Sequence, residues 1–195
     1  MKIFPNLIRL RRIKFQNLPL HAMIENNYLA SAKKQFTQYK TLGEKAMEQV
    51  PDEKISWQFN PETNSMETIV KHLAGNMLSR FTDFLTSDGE KQWRNRDAEF
   101  EPGRLNRDQL MARWNEGWDC LFNALNDLSA ADVSKKILIR NEEHSVMEAV
   151  NRQLTHYAYH VGQIVFIGKM VCDSDWKSLS IPRGGSLQFN AEKGL

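Results

Sequence analysis

Residues 145–171 have the sequence SVMEAVNRQLTHYAYHVGQIVFIGKMV. Its apolar residues recur at steps of three and four, which is typical of a helix with one buried face. Ser145 can cap this helix, because Glu148 follows three residues later at the spacing of a capping box. The sequence therefore predicts a long helix that ends at about Val171.

This helix carries a pair of histidines, His156 and His160. Four residues apart, they lie on the same face and about 6 Å from each other along the axis, so both side chains can reach one ion. The most polar direction of the helix runs through Asn151 and Lys169, away from the pair. We therefore expect the two histidines to face the interior.

The same periodicity predicts three more helices before this one. They run from about Ile24 to Val50, from about Ser65 to Thr86, and from just after Asn106 along a stripe that ends at Leu128. Asn64 is the predicted cap of the second helix, with Glu67 at capping-box spacing. In the third helix, Trp114 and Trp118 are expected to pack the core, as is Tyr159 in the fourth.

The segments between the helices differ in character. Residues 88–105 are rich in charge, Gly and Pro and predict a long surface connection that partly orders against the helices. Residues 133–144 predict a small hairpin or extended loop with its turn at Asn141 and Glu142. Pro and Gly after Cys172 predict an irregular tail. The predicted fold is all-α, a four-helix bundle with long connections.

Composition narrows the class of protein. The chain has 195 residues, 41% of them hydrophobic, which suits one globular domain over residues 24–195 after a basic N-terminal extension, residues 1–23. That extension is expected to be a short packing segment or a start codon misplaced ahead of Met23; an arm that touches membrane or RNA is the less favoured alternative. A net charge of +2 gives no general case for nucleic acid or an anionic membrane as a partner, and no apolar run is long enough to span a bilayer. Two distant cysteines, Cys120 and Cys172, suit buried free thiols in a cytoplasmic protein.

A third histidine, His72, lies at the edge of the apolar stripe of the second helix, with Asn76 and Arg80 following at steps of four. Three neutral imidazoles suit zinc, nickel, copper or iron and leave positions open for water or substrate. Asn76 and Arg80 could contact a substrate anion, although a surface or interhelical contact is the simpler interpretation for Arg80. Thr68, one turn before His72, could orient its ring, or bond to its own helix backbone. His21 and His144 have no partner at ligand spacing.

The run His156-Tyr-Ala-Tyr-His160-Val-Gly-Gln163 resembles the H-x-x-x-H-x-G-Q pattern of the DinB-like family of metal-binding helical bundles. Residues 71–77, KHLAGNM, resemble that family's first histidine segment, and LSIPRG at 179–184 resembles the tail of one subfamily. The resemblance implies that His72, His156 and His160 bind one divalent transition metal ion, zinc or nickel. Gln163 is expected to position a metal-bound water or to make a helix-packing hydrogen bond.

The resemblance also implies an activity. Similar DinB-like proteins include thiol-dependent transferases, so we expect a small-molecule substrate, perhaps a low-molecular-weight thiol, whose thiolate the ion stabilises. Metal-assisted hydrolysis and a non-catalytic, stress-associated metal- or ligand-binding bundle are the alternatives. A homodimer is expected. The sequence offers neither a basic recognition helix nor an aromatic stacking series, so no nucleic-acid partner is expected.

Overall fold

The structure is a computed structural model that describes residues 19–195. Within that range the chain is mainly helical, as predicted, with one small antiparallel hairpin. The helices are α1 (Leu20–Met47), α2 (Met66–Phe81), α3 (Arg107–Asp127), α4 (Val146–Cys172) and the short α5 (Ser186–Glu192). The hairpin strands are β1 (Lys136–Ile139) and β2 (Glu142–Ser145). No helix of the described residues has the length and apolar character needed to cross a membrane.

The four long helices share one apolar core, in which α2 packs mainly against α3 and α1 against α4. Trp114 and Trp118 are almost completely buried there, as predicted, and their rings lie in edge contact with centroids 5.4 Å apart. Gly117 lets α3 approach α2 closely, because a Cβ at this position would lie 2.8 Å from Ala74 Cα. These contacts fix the position of α2, the helix that carries His72, against α3.

The capping signals in the sequence explain where α3 and α4 begin. The Ser145 hydroxyl accepts a hydrogen bond from the Glu148 amide at 3.1 Å, and the Glu148 carboxylate accepts one from the Ser145 amide at 2.6 Å. Asn106 and Gln109 make the same reciprocal pair at the start of α3. Each pair satisfies backbone donors that the first turn leaves free. The predicted start of α4 is confirmed.

The cap of α2 and the ends of α1 and α2 differ from the prediction. Ser65, not Asn64, caps α2, because Ser65 is the last residue with extended backbone before the helix. That helix ends at Phe81 rather than Thr86, since Thr82 is extended and Asp83 has a left-handed φ of 50°. At the other end of the chain, α1 begins at Leu20, four residues before the predicted start, and ends at Met47, before Val50. Its extra turn carries exposed apolar side chains, so no buried stripe marked it in the sequence.

The hairpin is confirmed, but its turn is formed by Arg140 and Asn141, both with positive φ. The tail is not wholly irregular, because α5 forms beyond Gly185. The two cysteines are free, as predicted, but only half-buried. Most of the predicted N-terminal extension lies outside the described residues, and residues 20–23 belong to α1.

Candidate metal centre

Two helices bring the three predicted ligands together. His72 on α2 and His156 and His160 on α4 place one ring nitrogen each within 4.8 Å of the other two. The His156 Nε2 atom lies 3.3 Å from His72 Nε2 and 3.1 Å from His160 Nε2. Three imidazoles, one from α2 and two from α4, thus converge on one point.

These separations suit a small divalent ion. Zinc bound tetrahedrally to imidazole, with bonds of about 2.0–2.1 Å, holds two nitrogens about 3.3–3.4 Å apart. The two Nε2 separations in the structure, 3.3 and 3.1 Å, are close to that value. Three nitrogen donors leave at least one coordination position open, which is the arrangement of catalytic rather than structural zinc sites. The three histidines could therefore hold a metal ion and leave room for another ligand.

In His72 and His160, a hydrogen bond at Nδ1 fixes the tautomer of the ring. His72 Nδ1 lies 2.9 Å from the Glu99 carboxylate, and His160 Nδ1 lies 2.9 Å from Gln163 Oε1. Both partners are acceptors, so each Nδ1 carries the proton and each Nε2 presents a lone pair. His156 Nε2 faces both lone pairs and can donate at most one proton. At least one of the two lone pairs that it faces therefore has no donor. A cation at the centre would remove the repulsion between lone pairs, because all three Nε2 lone pairs could then point at positive charge.

Burial keeps the His156 and His160 rings neutral. His72 and His160 are buried, and His156 is half-buried. Loss of solvent, with the charges of the neighbouring rings and arginines, lowers the pKa of His156 from 6.5 to about 3. Burial likewise lowers the pKa of His160 to about 4, against an opposing effect of the hydrogen bond to Gln163. Neutral imidazole is the form that binds metal, so the site is ready to accept an ion at neutral pH.

Glu99 is a buried acidic residue at the site that the sequence did not single out. It comes from the connection between α2 and α3, and its carboxylate binds His72 on one side and Arg94 on the other, at 2.8 and 2.9 Å. Burial acts to raise the Glu99 pKa, but these hydrogen bonds and charges outweigh it, so the pKa lies below the usual value. Gly75 was the one signal in the sequence, because a glycine inside a helix often marks a close approach. A Cβ at Gly75 would overlap this carboxylate.

The other predicted site residues have distinct positions. Gln163 orients His160, so its interaction is with a ring nitrogen. Asn76 is buried and forms part of the wall of a cleft beside the histidines. It accepts a hydrogen bond from the Tyr157 hydroxyl at 2.9 Å. Thr68 does not orient His72 and does not bond back to its own helix backbone; its hydroxyl lies 3.0 Å from the hydroxyl of Ser65.

Arg80 is buried rather than on the surface. Its guanidinium donates to the Gly89 carbonyl and to the Glu90 carboxylate, at 3.2 Å for the latter. Burial lowers the Arg80 pKa, while Glu90 acts in the opposite direction. The prediction that Tyr159 packs the core is wrong: its side chain is 60% exposed. This exposed side chain forms part of the wall of the cleft beside the histidines.

The histidines open into this cleft, whose volume is about 430 Å³. His72 and His156 form part of its wall together with Asn76, Arg80 and Tyr159. The space is large enough for a small organic molecule. The arrangement thus combines a possible metal site with room for a second molecule beside it.

A family model described as "Protein of unknown function (DUF1572)" matches residues 23–185, which include all three histidines and Glu99. No curated protein matches the chain. Because the family model covers more than half of the sequence, this chain belongs to the DUF1572 family of proteins of unknown function.

Proposed function

We propose that this chain is a DinB-like four-helix bundle that binds one divalent transition metal ion, zinc or nickel, through His72, His156 and His160. One observation carries the proposal: the three Nε2 atoms converge, and hydrogen bonds to Glu99 and Gln163 leave the Nε2 lone pairs of His72 and His160 free for an ion. Ligand histidines usually donate their second nitrogen to such a partner.

We further propose that the protein is an enzyme, a metal-dependent thiol S-transferase acting on small electrophiles. Among the described residues, no carboxylate lines the cleft beside the histidines. The nearest ones, Glu99 and Glu90, are held in ion pairs with arginines. Many hydrolytic metal sites add a carboxylate as general base for the bound water, so the lack of a free one in this wall favours a reaction that needs none. Bound at the three nitrogens, the ion would supply the charge that favours the deprotonated, nucleophilic form of a thiol.

The proposed reaction is a substitution and needs neither an oxidant nor a reductant. The thiol loses its proton to solvent, a bond forms between its sulfur and an electrophilic carbon, and the leaving group departs with the electron pair of the bond that breaks. The chain's residues contribute by position. His72, His156 and His160 would hold the ion that binds the sulfur, and the cleft wall at Asn76 and Tyr159 would confine the electrophile.

A homodimer is also proposed. Exposed apolar side chains, Phe59, Phe166 and Met170, offer a surface for a second copy. Sedimentation of the purified protein would measure its mass in solution, and a monomer at high concentration would contradict the proposal.

Elemental analysis tests the metal site. Protein purified without an affinity tag or chelator should carry about one ion per chain, and His72→Ala, His156→Ala and His160→Ala should each lose it. His21→Ala is the matched control, because His21 is exposed on α1 and outside the cluster. Full metal content in any of the three site variants would contradict the assignment of that ligand.

An assay of thiol transfer tests the reaction. Metal-loaded protein is incubated with mercaptoethanol and chlorodinitrobenzene, and formation of the thioether is followed by absorbance. We expect turnover that His156→Ala abolishes and His21→Ala retains. Equal rates for the wild type and His156→Ala, with the ion present in the wild type, would instead indicate a non-catalytic metal-binding protein.

A further inference from the structure

The cleft beside the histidines has an unusual concentration of positive charge. Five guanidinium groups form part of its wall, and they come from α2, the connection after it, the hairpin turn and α4. They belong to Arg80, Arg94, Arg96, Arg140 and Arg152. Arginine is the side chain best suited to bind the planar oxygens of a carboxylate or phosphate, because its donors form a rigid fork.

The carboxylates nearby do not balance these arginines. Three of the arginines share the single carboxylate of Glu90, which lies 2.8 Å from Arg140, 3.2 Å from Arg80 and 3.8 Å from Arg94. Glu99 pairs with Arg94 and is also bonded to His72. An excess of cations therefore remains in the cleft. Low-dielectric walls focus such a field on a bound ligand.

The two arginines at the rim are the least engaged. Within residues 19–195, Asp97 is the one carboxylate within ion-pair distance of Arg96, at 4.0 Å, and it is almost fully exposed. The Arg96 guanidinium also lies over the Phe100 ring, 4.9 Å from its centroid. Arg152, exposed on α4, forms no ion pair with any residue in the range 19–195. Arg152 can therefore close on an anion without giving up an ion pair, whereas Arg96 would give up its long ion pair with Asp97 and its contact with the Phe100 ring.

Buried polar atoms in the cleft wall also lack partners. Arg80 is only 5% exposed, yet its Nε has no hydrogen-bond acceptor among the described residues. Gln153 is 3% exposed, and its Oε1 is likewise without a partner there. A half-turn of that amide would place its NH₂ group at the same position, as a donor. A buried polar group without a partner is unfavourable, so a ligand that reached these atoms would gain a hydrogen bond from each.

We propose that this cleft binds the oxyanion group of a small molecule, a carboxylate or a phosphate, between Arg152 and Arg80 and next to the histidines. The role of this anion as part of the substrate rests on the proposed transferase function. The binding of the anion itself rests on the arginines and the unpaired donors. The substrate class is therefore a small molecule with at least one acidic group.

Titration calorimetry with inorganic phosphate and with succinate tests the inference. Both probes are added to metal-free and metal-loaded wild type and to the double variant Arg96→Gln/Arg152→Gln. We expect binding of at least one probe to the wild type, about tenfold to a hundredfold weaker in the variant, as for loss of charge-assisted hydrogen bonds. The stronger probe identifies whether the cleft prefers phosphate or carboxylate. Arg113→Gln is the matched control, an exposed arginine on α3 away from the cleft.

The outcomes separate this inference from the metal proposal. The variant should retain the wild-type metal content, because neither arginine contacts a histidine ring nitrogen. If the wild type binds no metal, and the double variant binds phosphate more weakly than the wild type does, the metal proposal would be overturned and the anion site supported. Equal affinity in the wild type, the double variant and Arg113→Gln, or no affinity of either form of the wild type for either probe, would overturn the anion site.

Discussion

Replacing Glu99 by glutamine isolates the contribution of a carboxylate that never touches the proposed ion. In the structure this buried side chain accepts the His72 Nδ1 proton at 2.9 Å and holds Arg94 at 2.8 Å. Glutamine has the same shape and keeps one acceptor oxygen, but it has no charge. The ring of His72 would keep its place less firmly and would be a weaker donor to metal.

The expected loss follows from these contacts. Removing a hydrogen-bond partner from a ligand histidine typically lowers metal affinity about 10–100-fold, which is about 1.4–2.8 kcal/mol. We expect the upper part of this range, because Glu99 is 9% exposed and water cannot readily replace it. Removing one partner of a buried ion pair also costs about 3–5 kcal/mol of stability, reduced here because the amide oxygen can still accept from Arg94.

Competition with a coloured chelator near neutral pH measures the affinity, and circular dichroism of metal-free protein shows whether the variant is folded. Glu116→Gln is the control, because Glu116 is exposed and pairs only with Arg113. Gly75→Ala provides a second approach: its Cβ would displace the Glu99 carboxylate without altering any ligand, and affinity should fall similarly. A folded Glu99→Gln protein with wild-type affinity would refute the reasoning.

Two further predictions concern stability. Gly162→Ala should raise the free energy of unfolding by about 0.5–1 kcal/mol in urea denaturation, because a glycine inside a helix is less favourable than alanine and a Cβ here would meet nothing within 4 Å; a loss of stability would show that this face is covered. Metal-free protein should lose stability as pH falls from 6.5 towards 4, because the unfolded chain takes up protons on His156 and His160 that the folded chain, with pKa values of about 3 and 4, does not. Urea denaturation at about pH 7 and about pH 5 checks this, and unchanged stability would contradict the lowered pKa values.

Much of the fold was predictable because its signals are local. The apolar stripe of α3 and the Ser145 capping box of α4 each depend on residues within one or two turns, and the structure has both as predicted. Errors arose where local signals compete or vanish. Asp83 adopts a left-handed conformation that ends α2 early, although Phe84 beyond it is still buried.

The site was predictable only in part, for a physical reason. Histidine spacing and the resemblance to DinB-like proteins indicated the three rings, and the structure brings them together. The connection that supplies Arg94 and Glu99 has no periodicity, so nothing local indicated that these residues turn inward. Their positions depend on contacts with α2 that are distant in sequence.

The hairpin turn has a practical consequence for labelling the protein. Hairpin tips are usual places to insert a tag or a fluorophore, because most tolerate extra residues. Here the backbone amides of Arg140 and Asn141 donate to the Asp88 carboxylate, at 2.9 and 2.7 Å, and the Arg140 side chain holds Glu90. An insertion at this tip would pull apart one side of the cleft, whereas a reporter fused after Leu195, which is 90% exposed, would leave it intact.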